Sequence, residues 1–432
     1  MTAWVVYGSK VAGALVGFAT SIVIARVLGP DGRADYFIAS TVGLGVFAVC
    51  HLSVDQSIFW ALAERRAPVA RIVKAITPLA FVAAAVATAL YWAVGFLGGF
   101  FNEVPNSTAF AGMLLAPVLV GRLILDTFLY ASDRARVASL SLVLTAILQL
   151  AGIGALAAVG DVTSATVIVV SAASTFAGGL PNAAVVAQLS SGFRTMRPLD
   201  LRPLMRVGLS THLAVIAFWL ALRADVLIVS RLVSKHDVGI YSLAVTLAEV
   251  ILLASDALAL TALGLHPRLD REQSYTYSVE VGAGAARVAA LQVVALAGLG
   301  WPLILVAYGR AWLETYPVVI ALAPGMIAVA YMRPVTVAFI RAGRALERSL
   351  VMVVAGLANI VGTLIATVKF GIVGAGVAST IAYALGALLL AWRLRVSLGA
   401  SPWARTRLRV RRPLQRASQP ESPLGEAPTP PS

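Results

Sequence analysis

Runs of about 20 apolar residues recur from one end of this chain to the other, with short polar connections between them. Wound as a helix, each run reaches across roughly 30 Å of hydrocarbon. Inside lipid no water is at hand to bond exposed backbone N–H and C=O groups, so each segment must satisfy its own, as helices do. The charged residues are too few for a soluble domain: 12% of the chain, where about 25% is ordinary. The sequence therefore predicts an all-α integral membrane protein. About twelve spans can be placed, near 8–28, 36–60, 75–98, 109–131, 138–159, 164–190, 207–233, 239–265, 281–307, 316–340, 349–369 and 375–396. Pro or Gly marks many of the connections, as breakers should.

One stretch occurs twice. Ile22–Tyr36 reads I-V-I-A-R-V-L-G-P-D-G-R-A-D-Y, and Leu227–Tyr241 reads L-I-V-S-R-L-V-S-K-H-D-V-G-I-Y. Arg26 falls on Arg231 and Tyr36 on Tyr241, both at a displacement of 205. Arg66 falls on Arg271 and Ala173-Ser174-Thr175 on Ala378-Ser379-Thr380 at the same displacement, and Asp133-Arg134-Ala135 resembles Gly343-Arg344-Ala345 at 210. Matches in one order at nearly one spacing predict two copies of a single unit. Six spans per copy start both copies on the same side, so the repeats are parallel, and a site for a translocated molecule belongs in a central cavity between them. The predicted division is a six-helix bundle over 1–191, a linker over 192–206, a second six-helix bundle over 207–396 and a tail over 397–432. The tail crowds six arginines into Arg405–Arg416 before turning to Pro, Ser and Glu. It is expected to be disordered, its basic part either lying on anionic membrane lipids or merely solvated.

Charge orients the spans. Connections after even-numbered spans carry fifteen cations: Arg65, Arg66, Arg71, Lys74, Arg134, Arg136, Arg194, Arg197, Arg202, Arg206, Arg268, Arg271, Arg341, Arg344 and Arg348. Those after odd-numbered spans carry six: Arg26, Arg33, Arg231, Lys235, Arg310 and Lys369. The excess places the even loops and both termini in the cytosol, in a multi-pass protein of the cytoplasmic membrane. The same asymmetry accounts for the net charge of +14 without nucleic acid as a partner. The first apolar run leads into an Arg-Val-Leu-Gly-Pro turn rather than a small-residue cleavage site, so no cleavable signal is expected. A single Cys50 leaves no intramolecular disulfide and no cysteine metal cluster. No phosphate-binding G-x-x-x-x-G-K-[ST] loop, catalytic triad or metal-ligand spacing stands out. No cofactor, metal or enzymatic activity is predicted, and any energy must come from an ion gradient, the membrane potential or the substrate gradient.

With these residues in view, the chain resembles the polysaccharide-transport flippases of the multidrug/oligosaccharidyl-lipid/polysaccharide exporter superfamily. The motifs are Ala25-Arg26-Val27-Leu28-Gly29-Pro30-Asp31-Gly32; Val238-Gly239-Ile240-Tyr241-Ser242-Leu243-Ala244 with Glu249; His266-Pro267-Arg268; Arg341-Ala342-Gly343-Arg344; and Gly371 to Thr380. Arg33-Ala34-Asp35 departs from the Gly-aromatic pair usual in that family before the tyrosine. The resemblance implies two six-helix bundles around a V-shaped cavity, and a polyprenyl-diphosphate-linked oligosaccharide as substrate. It also implies glycosyltransferases and a glycan polymerase as partners. Twelve spans rather than fourteen set the chain apart from the peptidoglycan-precursor flippases.

Ionisable groups within a bilayer are expensive and so face a cavity or a partner. Arg122 and Asp126 lie four apart in span four, on one helical face, where they either pair or present a cation to a diphosphate. Arg287 in span nine and Arg333 in span ten fall toward the cytosolic side and either snorkel or bind substrate. In span seven Arg223 and Asp225 are two apart and cannot share a face; Arg223 is the first choice for the cavity. In span eight Glu249 lies near mid-membrane with Asp256 two turns on, a stripe fit for protons or sodium, or for pairing with Arg223. In span two His51 and Asp55 are i and i+4, an ion-coupling pair or a helix contact. Besides the glycan flippase, two functions remain open: an ion-coupled small-molecule exporter of the multidrug type, and a non-transport partner in a glycan-synthesis complex.

Overall fold

The computed structural model describes residues 2–63, 67–191, 199–253, 255, 271–341 and 344–398. The basic loop positions Arg65, Arg66, Arg194, Arg197 and Arg268, the His266-Pro267-Arg268 motif, Asp256, most of the linker and nearly all of the tail lie outside the described residues. Among those residues twelve α-helices follow one another: α1 Thr2–Cys50, α2 Val54–Ala63, α3 Val69–Trp92, α4 Asn106–Gly112, α5 Leu115–Ala131, α6 Ala135–Val159, α7 Ser164–Leu189, α8 Leu201–Leu232, α9 Lys235–Val250, α10 Arg271–Ala307, α11 Thr315–Arg341 and α12 Ala345–Leu398. No strand occurs among them.

The helices do not map one to one on the twelve predicted spans. Among the described residues, nine helical stretches are long and apolar enough to cross a membrane, and two of these, Gly8–Cys50 and Leu346–Val396, run 43 and 51 residues. At 1.5 Å per residue each is about twice the hydrocarbon thickness. Each bends at one glycine, Gly29 (φ 64°, ψ −178°) in α1 and Gly371 (φ 61°, ψ −151°) in α12. A Cβ at either would meet nothing within 4 Å, so glycine is required there by its backbone conformation and not by crowding. Spans one and two thus share α1, and spans eleven and twelve share α12. Conversely, span two continues past a break at Leu52 and Ser53 (φ 50° and 49°) into α2, and span four is assembled from α4 and α5.

In the first half α6 packs on α1 and α7, and α5 on α3 and α7; in the second, α12 packs on α8 and α11, and α11 on α10. Between the halves α9 packs on α1, and α8 on α1 and α2. One continuous apolar core joins the halves, running from Ala25, Val42 and Tyr91 through Ile240, Tyr241 and Leu247 to Val318 and Phe339.

The turns after spans one, three, five, seven and nine meet at one end of the bundle, the Gly29 end; the break at Ser53 lies at the other. The repeat is visible at the Gly29 end as a pair of equivalent contacts. Arg26, closing span one, donates from Nε to Ala307 O (2.7 Å) and from Nη2 to Val306 O (2.6 Å), at the end of span nine. Arg231, its counterpart closing span seven, donates to Gly98 O at the end of span three. Each arginine caps the unsatisfied carbonyls at a helix C-terminus in the opposite half. The turns beside them differ: Gly29-Pro30 bends the first copy, whereas Ser234 caps α9 in the second by accepting from Asp237 N.

Candidate functional site

A cavity of about 240 Å³ lies between the halves. From the first half it is lined by Thr20, Ser21, Arg33, Ser40, Thr41 and Gln149 among others, and from the second by Arg223, Thr246 and Glu249. Its polar wall follows from spacing: Arg33, Ser40 and Leu44 lie seven and four residues apart on one face of α1.

Arg223 and Glu249, from α8 and α9, form an ion pair on the cavity wall. Arg223 Nη2 stands 2.7 Å from Glu249 Oε1 and 2.9 Å from Oε2. The Glu249 side chain keeps 37% of its surface exposed and that of Arg223 19%, so the pair is reachable from the cavity. Glu249 thus lines the cavity while pairing with Arg223.

Arg33 is held differently. It is 3% exposed, and its Nε donates to Ser242 Oγ (3.0 Å), its Nη2 to Thr246 Oγ1 (3.0 Å), and its Nη1 to Ser21 O and Oγ (3.3 and 3.4 Å). Every one of these acceptors is neutral. Ser242 and Thr246 belong to the opposite half, so this arginine also bridges the halves.

Beyond the cavity wall, Asp225 turns away from Arg223, as a spacing of two requires. It is 1% exposed, and its Oδ2 accepts from Tyr241 Oη (2.5 Å) and Ser379 Oγ (3.1 Å). Asn359 Oδ1 joins the same cluster through Thr363 Oγ1 (3.0 Å) and Ser379 Oγ (3.2 Å). Among the described residues no side chain donates a hydrogen bond to the buried Asp225 Oδ1. A void of about 10 Å³, room for about one water-sized occupant, separates Asp225 from Glu249.

The remaining candidates sit elsewhere. Arg122 and Asp126 do pair, Nε to Oδ1 at 2.9 Å, and are further tied to Ser141, Thr145 and Asn182. All of these are in the first half, and none lines the cavity. Arg287 is exposed on α10, its Nε donating to Ala283 O (3.2 Å). Arg333 is half-buried in α11, away from the cavity lining. His51 and Asp55 do not share a face, because the helix breaks between them at Leu52 and Ser53. His51 instead meets His212 edge-on, ring centroids 5.3 Å apart, while Asp55 Oδ2 accepts from Gln56. His212 in turn contacts Ser53 Oγ (3.2 Å) and Val49 O (2.8 Å), joining the halves at the far end. No group of three or more His, Cys, Asp or Glu fit to hold a metal occurs among the described residues.

Sequence reasoning missed Arg33, Tyr241, Asn359, Thr363 and Ser379 as site residues. Arg33 was counted with the loop cations, although it stands where the resemblance to the flippases fails. Asn359 is an amide within an apolar run, a signal that was legible.

Four of the six odd-loop cations hold the Gly29 end shut. Besides Arg26, Arg33 and Arg231, Lys235 Nζ meets Asp35 Oδ1 at 2.8 Å across the halves. Gly239 lies against Pro30, where an added Cβ would fall 2.0 Å from Pro30 O. Four of the six cations in the odd-numbered connections are thus interhalf contacts.

This architecture is that of known transporters. The chain superposes on an inward-facing multidrug-resistance MATE-family transporter of the MOP superfamily with a TM-score of 0.69 at 15% identity, covering 93% of this chain and 99% of that one. It superposes on the lipid II flippase MurJ, in an inward closed conformation, with a TM-score of 0.68 at 14% identity, covering 91% and 87%. For the MATE transporter VcmN of Vibrio cholerae, as a D35N mutant, the values are 0.62, 12%, 92% and 96%. No protein-family model matches the sequence, and no curated protein is similar to it at a significant level. The shared property is the fold.

Proposed function

We propose that this protein is an alternating-access flippase that carries a polyprenyl-diphosphate-linked oligosaccharide across the cytoplasmic membrane. The observation that carries the reading is the charge of the interhalf cavity: Arg33 and Arg223 against the single carboxylate Glu249. A cavity with surplus cations favours an anion over the cationic cargo of a multidrug exporter. Guanidinium suits a diphosphate because its planar fork binds bidentately and keeps its charge. The cavity is smaller than the roughly 300 Å³ at which ligand pockets begin, so a glycan enters only as the halves part. By the charge of the loops the Gly29 end faces outward and both termini inward, which makes the conformation one closed to the outside.

Coupling falls to Asp225. The buried Asp225 carboxylate, with Oδ2 tied to Ser379 and through it to Asn359, keeps a second oxygen without a side-chain donor among the described residues, which suits a proton or a sodium ion. The void toward Glu249 supplies a route to the cavity.

The test is export of lipid-linked glycan in cells whose only copy carries Arg223→Ala or Glu249→Ala, with membrane insertion checked by immunoblot. Loss of export in both supports the reading; normal export in both refutes the two assignments. A drug-efflux assay on the same strains separates the multidrug alternative. Unchanged glycan export on deleting the whole protein would refute the flippase reading.

A further inference from the structure

Arg33 is a buried charge whose hydrogen-bond partners do not neutralise it. Arg122 has Asp126 and Arg223 has Glu249. Among the described residues no carboxylate oxygen lies within 4.0 Å of the Arg33 guanidinium. Its acceptors are three hydroxyls and one carbonyl, and the Trp312 ring lies 5.9 Å from its Cζ. Neutral acceptors meet the geometric needs of the N–H groups and leave the full positive charge in a site sheltered from water. Guanidinium does not escape this by losing a proton, and a buried charge left uncompensated is strongly unfavourable. Such a residue is held in place by the rest of the fold and gains most when an anion arrives.

The surroundings favour that anion on the cavity side. Arg33 lines the cavity, and so does Ser40, whose buried Oγ has no hydrogen-bond partner. Seven residues separate the two on α1, which places them on one face. The two bonds to Ser21 are long, at 3.3 and 3.4 Å, and are the easiest to exchange for a shorter, charge-assisted one.

We propose that Arg33, with Ser40, forms an anion-binding subsite at the Gly29 end of the cavity that takes a phosphate group of the transported molecule. This rests on the reading of the substrate as a diphosphate. Arg33 is then a specificity residue. Its Nε and Nη2 stay held by Ser242 and Thr246 of the other half, so phosphate taken up through Nη1 binds a residue that bridges the halves.

The test measures binding, not transport. Purified full-length protein in lipid nanodiscs is titrated with farnesyl diphosphate, with farnesol as the uncharged control and inorganic pyrophosphate as the tail-free one. The expected result is saturable binding of the diphosphate and none of farnesol, with affinity weakened about tenfold or more in Arg33→Gln and less in Ser40→Ala. Tighter binding of farnesyl diphosphate than of pyrophosphate marks a lipid-linked source; equal binding marks a free phosphate source, and either supports the subsite. Arg33→Lys, which retains the charge and loses the fork, decides the matter if Arg33→Gln fails to insert: weakened binding supports the subsite and full affinity overturns it. If wild type and Arg33→Gln bind alike while Arg223→Gln is weakened, the substrate reading stands and the Arg33 subsite falls. If the wild type binds no diphosphate at all, both fall.

Discussion

At the scale of single residues, what distinguishes the arginines of this bundle is the company each keeps. Arg122 is enclosed by Asp126, Ser141 and Thr145 inside one half; Arg223 meets a carboxylate that is still 37% exposed. Breaking the first pair strands a charge in the bundle. Asp126→Asn is therefore expected to lower stability by about 3 kcal/mol while leaving diphosphate affinity unchanged, which a thermal melt and a titration on the same sample will check. Glu249→Gln acts on a wetter pair and is expected to cost only about 1 kcal/mol, yet to change ligand affinity; equal melts for the two variants would contradict this ranking. Asp225 belongs to a third class, buried with one oxygen lacking a side-chain donor among the described residues. In wild-type protein, sodium or acid is expected to raise the melting midpoint relative to choline at neutral pH, and Asp225→Asn to remove that response. A cation response that survives in Asp225→Asn would move the coupling site elsewhere. The sequence named Asp225, Arg223 and Glu249 because charge in an apolar run is conspicuous. It passed over Tyr241, Asn359 and Ser379 because one hydroxyl or amide in a helix signals little until its partners on other helices are known.

Among the elements, the kinks matter more than the helices. Gly29 and Gly371 each turn a helix too long for one crossing into two. The Gly-Pro at 29–30 and the Gly at 371 were legible as breakers, since no other residue type tolerates those backbone angles readily. The break between His51 and Asp55 was not legible: no Gly or Pro announces it, and Leu52 and Ser53 adopt positive φ under tertiary constraint. That one break means the two side chains no longer stand i, i+4 on one continuous helix. The close approach of α9 to the Gly29 turn depends on Gly239, where a methyl group would collide with the Pro30 carbonyl. Gly239→Ala, or Arg26→Ala combined with Arg231→Ala, is expected to loosen that end. In a Cys50→Ser background, a cysteine placed at Ser242 should then react with a membrane-impermeant maleimide several times faster. Unchanged labelling in all three backgrounds would show that these contacts do not govern access.

For the molecule as a whole, the interhalf contacts fall at both ends of the bundle. Apolar core and polar bridges both join the halves at the Gly29 end, while the far end is joined through His212 to the segment around Ser53. If transport proceeds by rocking of the halves, fixing the Gly29 end must stop it. Cysteines at Asp35 and Lys235, joined by a short cleavable bis-maleimide in the Cys50→Ser protein, are expected to abolish export, with recovery on cleavage; export undiminished by the crosslink would exclude rocking at this end. The sequence alone determined the environment, the helical class and the internal duplication, because lipid imposes one backbone solution and a repeat survives in residue order. It determined the sidedness only as a bias of charge. The tertiary structure decided which charges pair, which of them face the cavity and why cations persist on the sparsely charged side. Those outcomes depend on which helices of opposite halves meet, and on distances of a few ångströms between residues some two hundred positions apart, which no local pattern encodes.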